Sequence, residues 1–364
     1  MNIYINGRFL SQRTTGVQRY ATELVMALDR ILSADQTLCS IDSLTILVPR
    51  GAKYALNFKF IKVKSVGFLG GYLWEQLELP LYSFGSLLLN FCNMAPLFKR
   101  RSIVTICDVS VFSSPSGYSR AFLLWYRLAL PIIGHMADSI ITISDFSRAE
   151  IVKFLHIPEY KITRIYLGVS NDVLKTPRVS FIARVAAAFK GAPFLLTVGS
   201  LNPNKNIKSL LNSMGQLEDL DLKVAVVGGG NAKVFGGGNF TFPDSVEFFG
   251  YVSDIELQWF YANATLFVFP SLYEGFGLPP LEAMIRGCPV IASSAASLPE
   301  VCGDAALYFD PHDILDIASK IRTLFVDAEM QASYRERGFE RVRNFTWDNC
   351  ALETLNLIYK RNTL

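Results

Sequence analysis

The chain has 364 residues, 51% hydrophobic and 18% charged, with a formal net charge of +3. That composition supplies large buried cores and excludes a disordered polymer, and so small a charge gives no general affinity for nucleic acid. The length fits two domains, and six scattered cysteines (Cys39, Cys92, Cys107, Cys288, Cys302, Cys350) with no CxxC and no histidine at metal-ligand spacing read as reduced thiols of a cytoplasmic protein.

The first seven residues lack the basic and apolar regions of a signal peptide and read as a strand centred on Ile3–Ile5. A polar, basic loop ending in Thr14-Thr15-Gly16-Val17 leads into a helix on which Val17, Tyr20, Ala21, Leu24, Val25, Leu28 and Leu32 recur at helical spacing. That loop is either a plain connection or one whose amides face a phosphate; a single glycine does not decide. Strands follow at Leu44–Val48, Leu87–Phe91, Ile103–Ile106 and Ile140–Ile143. The last runs into Ser144-Asp145-Phe146-Ser147, whose serines cap a helix reaching Leu155. Lys99-Arg100-Arg101 and the segment Tyr118–Arg127 join positive charge to large apolar side chains. They fit either an anionic membrane surface or a core helix beside a solvated basic turn. The run from Ala121 to Met136, broken by Arg127, Pro131 and His135, is too short to span a bilayer.

A strand at Ile162–Tyr166 and a polar linker to about Arg178 precede a restart of the pattern at Phe194–Val198. The next loop carries Ser200, Asn204 and Lys205; an ammonium there suits a leaving diphosphate, although a solvated lysine is the commoner case. Leu222–Val227 runs into the turn Gly228-Gly229-Gly230, and Val246–Phe249 into Gly250-Tyr251-Val252-Ser253 and a helix from Asp254 to Tyr261. The buried strand Thr265–Phe269 is followed by a glycine-rich turn with Pro280 as first helical residue. Gly275 and Gly277 let a ligand approach the main chain, and the amides at a helix start attract an anion. Glu274 in the loop and Glu282 in the first helical turn either face one ligand's hydroxyls together or serve only as a solvated charge and a dipole complement. A strand at Pro289–Ala292, a loop from Ser293 to Pro299, and helices at Ile314–Phe325, Gln331–Val342 and Trp347–Lys360 complete the chain. Strands alternating with helices imply doubly wound parallel sheets. Asp219 and Asp221 read as exposed charges, and His135, His156 and His312 form no triad or zinc arrangement, so no metal is expected.

The stretch Glu274-Gly275-Phe276-Gly277-Leu278-Pro279-Pro280-Leu281-Glu282 resembles the E-x7-E signature of glycosyltransferase family 4, retaining enzymes of the GT-B fold. Thr15-Gly16-Val17-Gln18-Arg19-Tyr20, the segment Val198–Asn206, Gly250-Tyr251-Val252-Ser253-Asp254 and Ala296-Ser297-Leu298-Pro299-Glu300-Val301 fall in the order that family requires. Tyr72-Leu73-Trp74-Glu75-Gln76 and the segment Asn90–Pro96 resemble its bacterial O-antigen, capsule and exopolysaccharide members. The resemblance implies an α/β protein of GT-B architecture with two facing Rossmann-like domains. Residues 1–173 would bind acceptor, residues 174–345 the nucleotide sugar, and a C-terminal helix, 346–364, would cross back to the first domain.

By the same resemblance, Lys205 binds the donor diphosphate, with Ser200 and Asn204 standing where relatives carry an arginine, so that Lys205 either carries more of the phosphate charge or recruits Arg19. Glu282 binds the ribose, Glu274 the transferred sugar, and Gly275, Phe276, Gly277 and Leu278 the phosphate and sugar. Tyr251 and Val252 frame the base, Gly229 is a further donor-binding position, and Gly16 closes over the diphosphate. The family's T-I-H-D reads Thr105-Ile106-Cys107-Asp108, which puts Cys107 and Asp108 among the catalytic positions. A thiol cannot replace the histidine as a strong hydrogen-bonding group, which points to a 6-deoxy or pentose donor lacking the hydroxyl that histidine binds.

The implied activity is a retaining, metal-independent hexosyltransferase on the cytoplasmic face of the inner membrane. It would move a hexose or deoxyhexose, with GDP-mannose the first donor to consider, to a growing polyprenyl-diphosphate-linked surface glycan. The nucleotide sugar is a co-substrate, and no cofactor or nucleic acid is involved. A nucleotide-sugar epimerase or hydrolase of the same fold, and a non-catalytic sugar-nucleotide-binding subunit of a polysaccharide assembly complex, are the competing readings.

Overall fold

A computed structural model describes residues 2–362 except 13–14, 36–42, 53–55, 116–117, 171–174 and 230–244. Cys39, Thr14, Gly230 and part of the expected linker lie outside the described residues. The chain divides into two compact units, Met1–Gly168 with Phe345–Leu364, and Val169–Asn344.

In the first unit, β1 (Asn2–Asn6), β2 (Ser43–Pro49), β3 (Lys62–Val66), β4 (Leu87–Asn90), β5 (Ser102–Thr105), β6 (Ser139–Thr142) and β7 (Ile162–Arg164) form a parallel sheet. Its strand order is β3-β2-β1-β4-β5-β6-β7. Strands β4, β5 and β6 are buried along their whole length, as a sheet covered on both faces requires. The helix Gly16–Ala34 buries Tyr20, Ala21, Leu24, Val25, Leu28 and Leu32, the stripe its spacing predicts. Against it lies the C-terminal helix Trp347–Asn362, with the Tyr20 and Trp347 rings 6.3 Å apart. Ser144 accepts the Ser147 amide at 3.0 Å and so caps the helix Asp145–Leu155.

Between β3 and β4 a continuous helical segment comprises Gly71–Leu73, a π-helical turn Trp74–Glu78 and Leu79–Tyr82. Trp74 is fully buried and its indole N–H donates to the Val66 carbonyl at 2.9 Å. A second helix, Arg120–Met136, connects β5 to β6.

The second unit repeats the plan. Strands β8 (Phe194–Val198), β9 (Lys223–Val227), β10 (Val246–Gly250), β11 (Leu266–Phe269), β12 (Val290–Ser293) and β13 (Ala306–Phe309) pair in the order β10-β9-β8-β11-β12-β13. Leu195, Val224, Leu266 and Ile291 of the sheet pack with Leu210, Ile317 and Ile321 of its helices. One expectation needs correction: the helix after β11 is Leu278–Ile285, starting two residues before Pro280. Gly277, at φ +101°, caps it in a conformation closed to side-chain-bearing residues, so the helix starts at Leu278 and Glu282 falls past its first turn. Among the described residues no helix is long and apolar enough to cross a membrane.

Gly168 lies against the main chain of Thr346 and Trp347, where an added Cβ would collide with backbone rather than with a yielding side chain. Gly168→Ala should therefore destabilise by about 1–3 kcal/mol. A lowered midpoint in urea, followed by tryptophan fluorescence, checks it; an unchanged midpoint would show the junction to be yielding.

Candidate functional site: two crevices at strand carboxyl ends

In the second unit the strand order reverses between β8 and β11, which are hydrogen-bonded neighbours. Loops leaving these two strands run in opposite directions, and ligands of open parallel sheets bind at that point. From the β8 loop, Asn202 accepts the Asn204 amide at 3.0 Å and starts the short turn Pro203–Lys205. Asn204, itself buried, accepts the Leu272 amide at 2.8 Å and ties this loop to the one after β11. Between the two loops the Lys205 ammonium donates to Glu274 Oε1 at 2.6 Å, with both side chains largely buried. The lysine stem passes beside Gly199, where a Cβ would sit 3.3 Å from it.

Behind Glu274, the fully buried Ser297 hydroxyl lies 2.9 Å from the Glu274 carbonyl and 2.8 Å from that of Phe276. One hydroxyl proton shared between two carbonyls holds the glycine-rich turn in shape. Glu282 accepts from the Tyr261 hydroxyl at 3.1 Å. On the other side of β8, Gly228, at φ +138°, sits directly over the Gly199 carbonyl, and Gly229 lies against the ring of the exposed Tyr251. Lys205, Glu274, Asn204 and the turn Gly275–Leu278 are thus brought to one crevice. Ser200 is exposed beside them, and Val252 is half-buried next to Tyr251.

Gly16, Cys107 and Asp108 belong to the other unit, whose order reverses between β1 and β4. There a cavity of about 420 Å³ is lined by Arg8, Thr15, Tyr72, Asn93, Asp108 and Tyr126, among others. Asn6 at the end of β1 donates its amide both to Glu75 Oε1 at 2.8 Å and to Asn90 Oδ1 at 3.0 Å. Glu75 in turn pairs with Arg8 at 3.1 Å, both groups being buried, and the Arg8 guanidinium lies 4.1 Å from the centroid of the Tyr72 ring. Burial pushes the Glu75 carboxyl up from its ordinary value, against the pull of Arg8 and Asn6.

Asp108 lines this cavity, and its Oδ1 accepts the Ser110 amide at 2.9 Å. Cys107 instead sits in the core, its amide donated to Asn93 Oδ1 at 2.8 Å and its thiol driven far up by burial. Gly16 opens the helix after Thr15 and is exposed; a Cβ there would meet nothing within 4 Å. Arg8, Tyr118, Phe122 and Tyr126 also line the cavity, and no motif in the sequence marks them as site residues. The cue was available for two segments only as family-like strings, around Tyr72–Gln76 and Asn90–Pro96.

Among the described residues no group of three or more His, Cys, Asp or Glu side chains is placed to hold a metal. Asp219 of the D-x-D is held by Arg322 through two contacts of 2.6 Å, which lower its carboxyl below the usual range.

Residues 180–341 match the family "Glycosyl transferases group 1". The chain is 33% identical over 273 residues to the O-antigen chain mannosyltransferase B of Escherichia coli, covering 70% of this chain and 69% of that protein. It is 26% identical over 334 residues to the O-antigen chain mannosyltransferase RfbU of Salmonella typhimurium, covering 88% and 90%. In fold it is similar to the sucrose-phosphate synthase of Thermosynechococcus elongatus, with a TM-score of 0.75 at 19% identity over 100% of this chain and 99% of the other. The chain belongs to the glycosyl transferases group 1 family, and its two parallel-sheet domains are of the GT-B type. It is a glycosyltransferase.

Burial pushes the thiols of Cys302 and Cys350 up to about 12, and those of Cys107 and Cys288 up as well. The reactive thiolate is therefore scarce near neutral pH and grows only as pH climbs toward those values. At about pH 8, iodoacetamide should modify these four at least about a hundredfold more slowly in the native protein than in urea, read site by site by mass spectrometry. Fast native labelling of Cys107 would place its thiol at the cavity surface.

Proposed function

We propose that this glycosyltransferase moves a single sugar from a nucleotide donor held by residues 169–344 to a glycan acceptor held by the first unit. The observation that carries this reading is the Lys205–Glu274 contact at the strand-order reversal of the second sheet. A diphosphate leaving group needs positive charge where its own negative charge develops. Lys205 supplies one cation, and the turn that opens the helix Leu278–Ile285 adds the backbone N–H groups of Gly277 and Leu278, the next two positions, Pro279 and Pro280, having none. Glu274 faces the transferred sugar and Glu282 the ribose. On this account the reaction needs no metal and no cofactor, and it proceeds with retention, the departing phosphate taking the acceptor proton.

GDP-mannose is the proposed donor, supported by the chain's similarity to two O-antigen mannosyltransferases. The acceptor is a growing surface glycan on a polyprenyl-diphosphate carrier at the inner face of the cytoplasmic membrane. The buried position of Cys107 favours a second reading, a 6-deoxy or pentose donor, because nothing at that position offers a strong hydrogen bond to a sugar hydroxyl. A donor panel separates the two: transfer from GDP-mannose above every deoxy or pentose donor removes the second.

Lys205→Ala should weaken nucleotide-sugar binding by about tenfold or more, the scale of a lost charged hydrogen bond. Glu274→Gln should lower kcat more than affinity, and chelator should leave transfer intact. Calorimetry with each variant checks the first; donor binding that survives Lys205→Ala unchanged would remove the lysine from the phosphate site. Donor turnover without acceptor would indicate an epimerase or hydrolase, and binding without any transfer a non-catalytic subunit.

Gly16→Ala should leave the melting temperature within about 2 °C, since nothing crowds the added methyl, yet lower transfer. Unchanged transfer would show that no ligand approaches this glycine.

A further inference from the structure

Two neighbouring helices of the first unit turn apolar side chains outward. In the segment Gly71–Tyr82, Leu73, Leu77 and Leu81 are 62%, 57% and 73% exposed, and Phe84 in the next turn is 87% exposed. In Arg120–Met136, Leu124, Leu128 and Ile132 are 64%, 58% and 39% exposed. Spacing of four puts each triplet on one stripe. The inner sides of the same helices already bury Trp74 and Leu79, and Ala129, Leu130 and Ile133, so core packing does not account for the outer stripes. Tyr72 and Trp125, with ring centroids 5.9 Å apart, bring the helices together.

Acid is kept off the first stripe. Glu75 is buried, and Glu78 accepts the amides of Phe68 and Leu69 at 3.0 and 2.9 Å. Cations gather at its end instead. Lys99 donates to the Ser83 carbonyl at 2.7 Å and Arg101 to that of Gly85 at 2.9 Å, bracketing the turn that exposes Phe84. Arg101 also lines a cavity of about 770 Å³ with Arg100, Lys161, Arg361, Asp138 and His135, the last being in the final turn of the second helix. Four basic side chains, Arg100, Arg101, Lys161 and Arg361, stand there against one carboxylate. Apolar stripes that end in a cationic hollow match the layering of an anionic membrane, acyl chains beneath phosphates.

We infer that this face docks on an anionic lipid bilayer, with the leucines and Phe84 entering the headgroup boundary and the Arg100–Arg101–Lys161–Arg361 hollow receiving lipid phosphates. The same helices contribute Tyr72, Phe122 and Tyr126 to the cavity at the β1/β4 reversal. Docking thus brings that cavity to the surface from which a lipid-linked acceptor arrives. Only this last consequence rests on the proposed function.

The test is flotation of the full chain, without donor or acceptor, with vesicles of phosphatidylcholine alone or mixed with phosphatidylglycerol. The protein should rise with the phosphatidylglycerol vesicles, at least about tenfold more than with the neutral ones, and be released near 1 M salt, where screening shortens to about 3 Å. L77E/L128E and R100E/R101E should each cut partition about tenfold or more, with melting and transfer to a water-soluble acceptor preserved. No lipid-dependent flotation, equal binding to neutral vesicles, or variants that float like the parent would overturn the proposal. So would a dimer in solution that L77E/L128E dissolves, because the face would then belong to a second copy. Flotation with no transfer from any donor would instead overturn the enzymatic reading and leave docking standing.

Discussion

A parallel sheet that begins in its middle must reverse direction once, because right-handed crossovers carry successive helices to one face on the way out and to the other on the way back. Both sheets of this protein begin that way, at β1 and β8, and both reverse beside the first strand, at β4 and β11. Where neighbouring strands send their loops apart, backbone leaves a crevice that no side chain has to be removed to create. Lys205 and Glu274 in one sheet, and Arg8 and Asn93 in the other, lie on loops at these two places. The chemistry follows from topology before it follows from residue identity.

What the crevice of the second unit adds is rigidity at little cost in charge. Lys205 is a long side chain that would lose much freedom on meeting a phosphate. Here its ammonium is already held by Glu274, its stem runs along Gly199, and its loop is tied by Asn204 to Leu272. The Glu274 loop is fastened by the shared Ser297 hydroxyl. On the proposed function, a diphosphate arriving there would compete with a carboxylate for a cation already in place and would not have to gather one from solvent. Such prior ordering is what electrostatic stabilisation of a leaving group demands.

The sheets were legible in the sequence to the extent that their strands are apolar. Strands β1, β2 and β4 to β12 are marked in the sequence by their apolar stretches. Two outermost strands are not. Edge strand β3, Lys62-Val63-Lys64-Ser65-Val66, carries the charges that protect an open edge from pairing with another chain, and those charges hide it among loops. Edge strand β13, Ala306-Leu307-Tyr308-Phe309, has no β-branched residue and buries only its two end residues, so no apolar β-branched run marks it. The E-x7-E stretch and Lys205 were legible because their spacing is local. Of the first unit's cavity lining only Asp108 was legible as a site residue, through a family-like string; Arg8, Tyr72 and Tyr126 meet it only through the sheet, and no spacing along the chain records that.

The two strings that were recognisable only as family-like, Tyr72–Gln76 and Asn90–Pro96, acquire a physical meaning from the fold. Asn6 has two amide protons and uses one on Glu75 and one on Asn90, so the end of β1 joins both strings at once. Gln76 completes the link, donating to the Ala95 carbonyl at 3.0 Å and accepting the Leu97 amide at 2.9 Å. Such a buried knot is expensive: Glu75 is raised by desolvation, and its Oε2 has no hydrogen-bond partner among the described residues. An apolar core of the same volume would be at least as stable. The return for that expense is position, since the pair aims Arg8 at the cavity wall and seats it on Tyr72, a placement that flexible packing would not hold. Glu75 and Asn6 therefore position Arg8, and the stability they forgo marks the first unit's crevice as a candidate site.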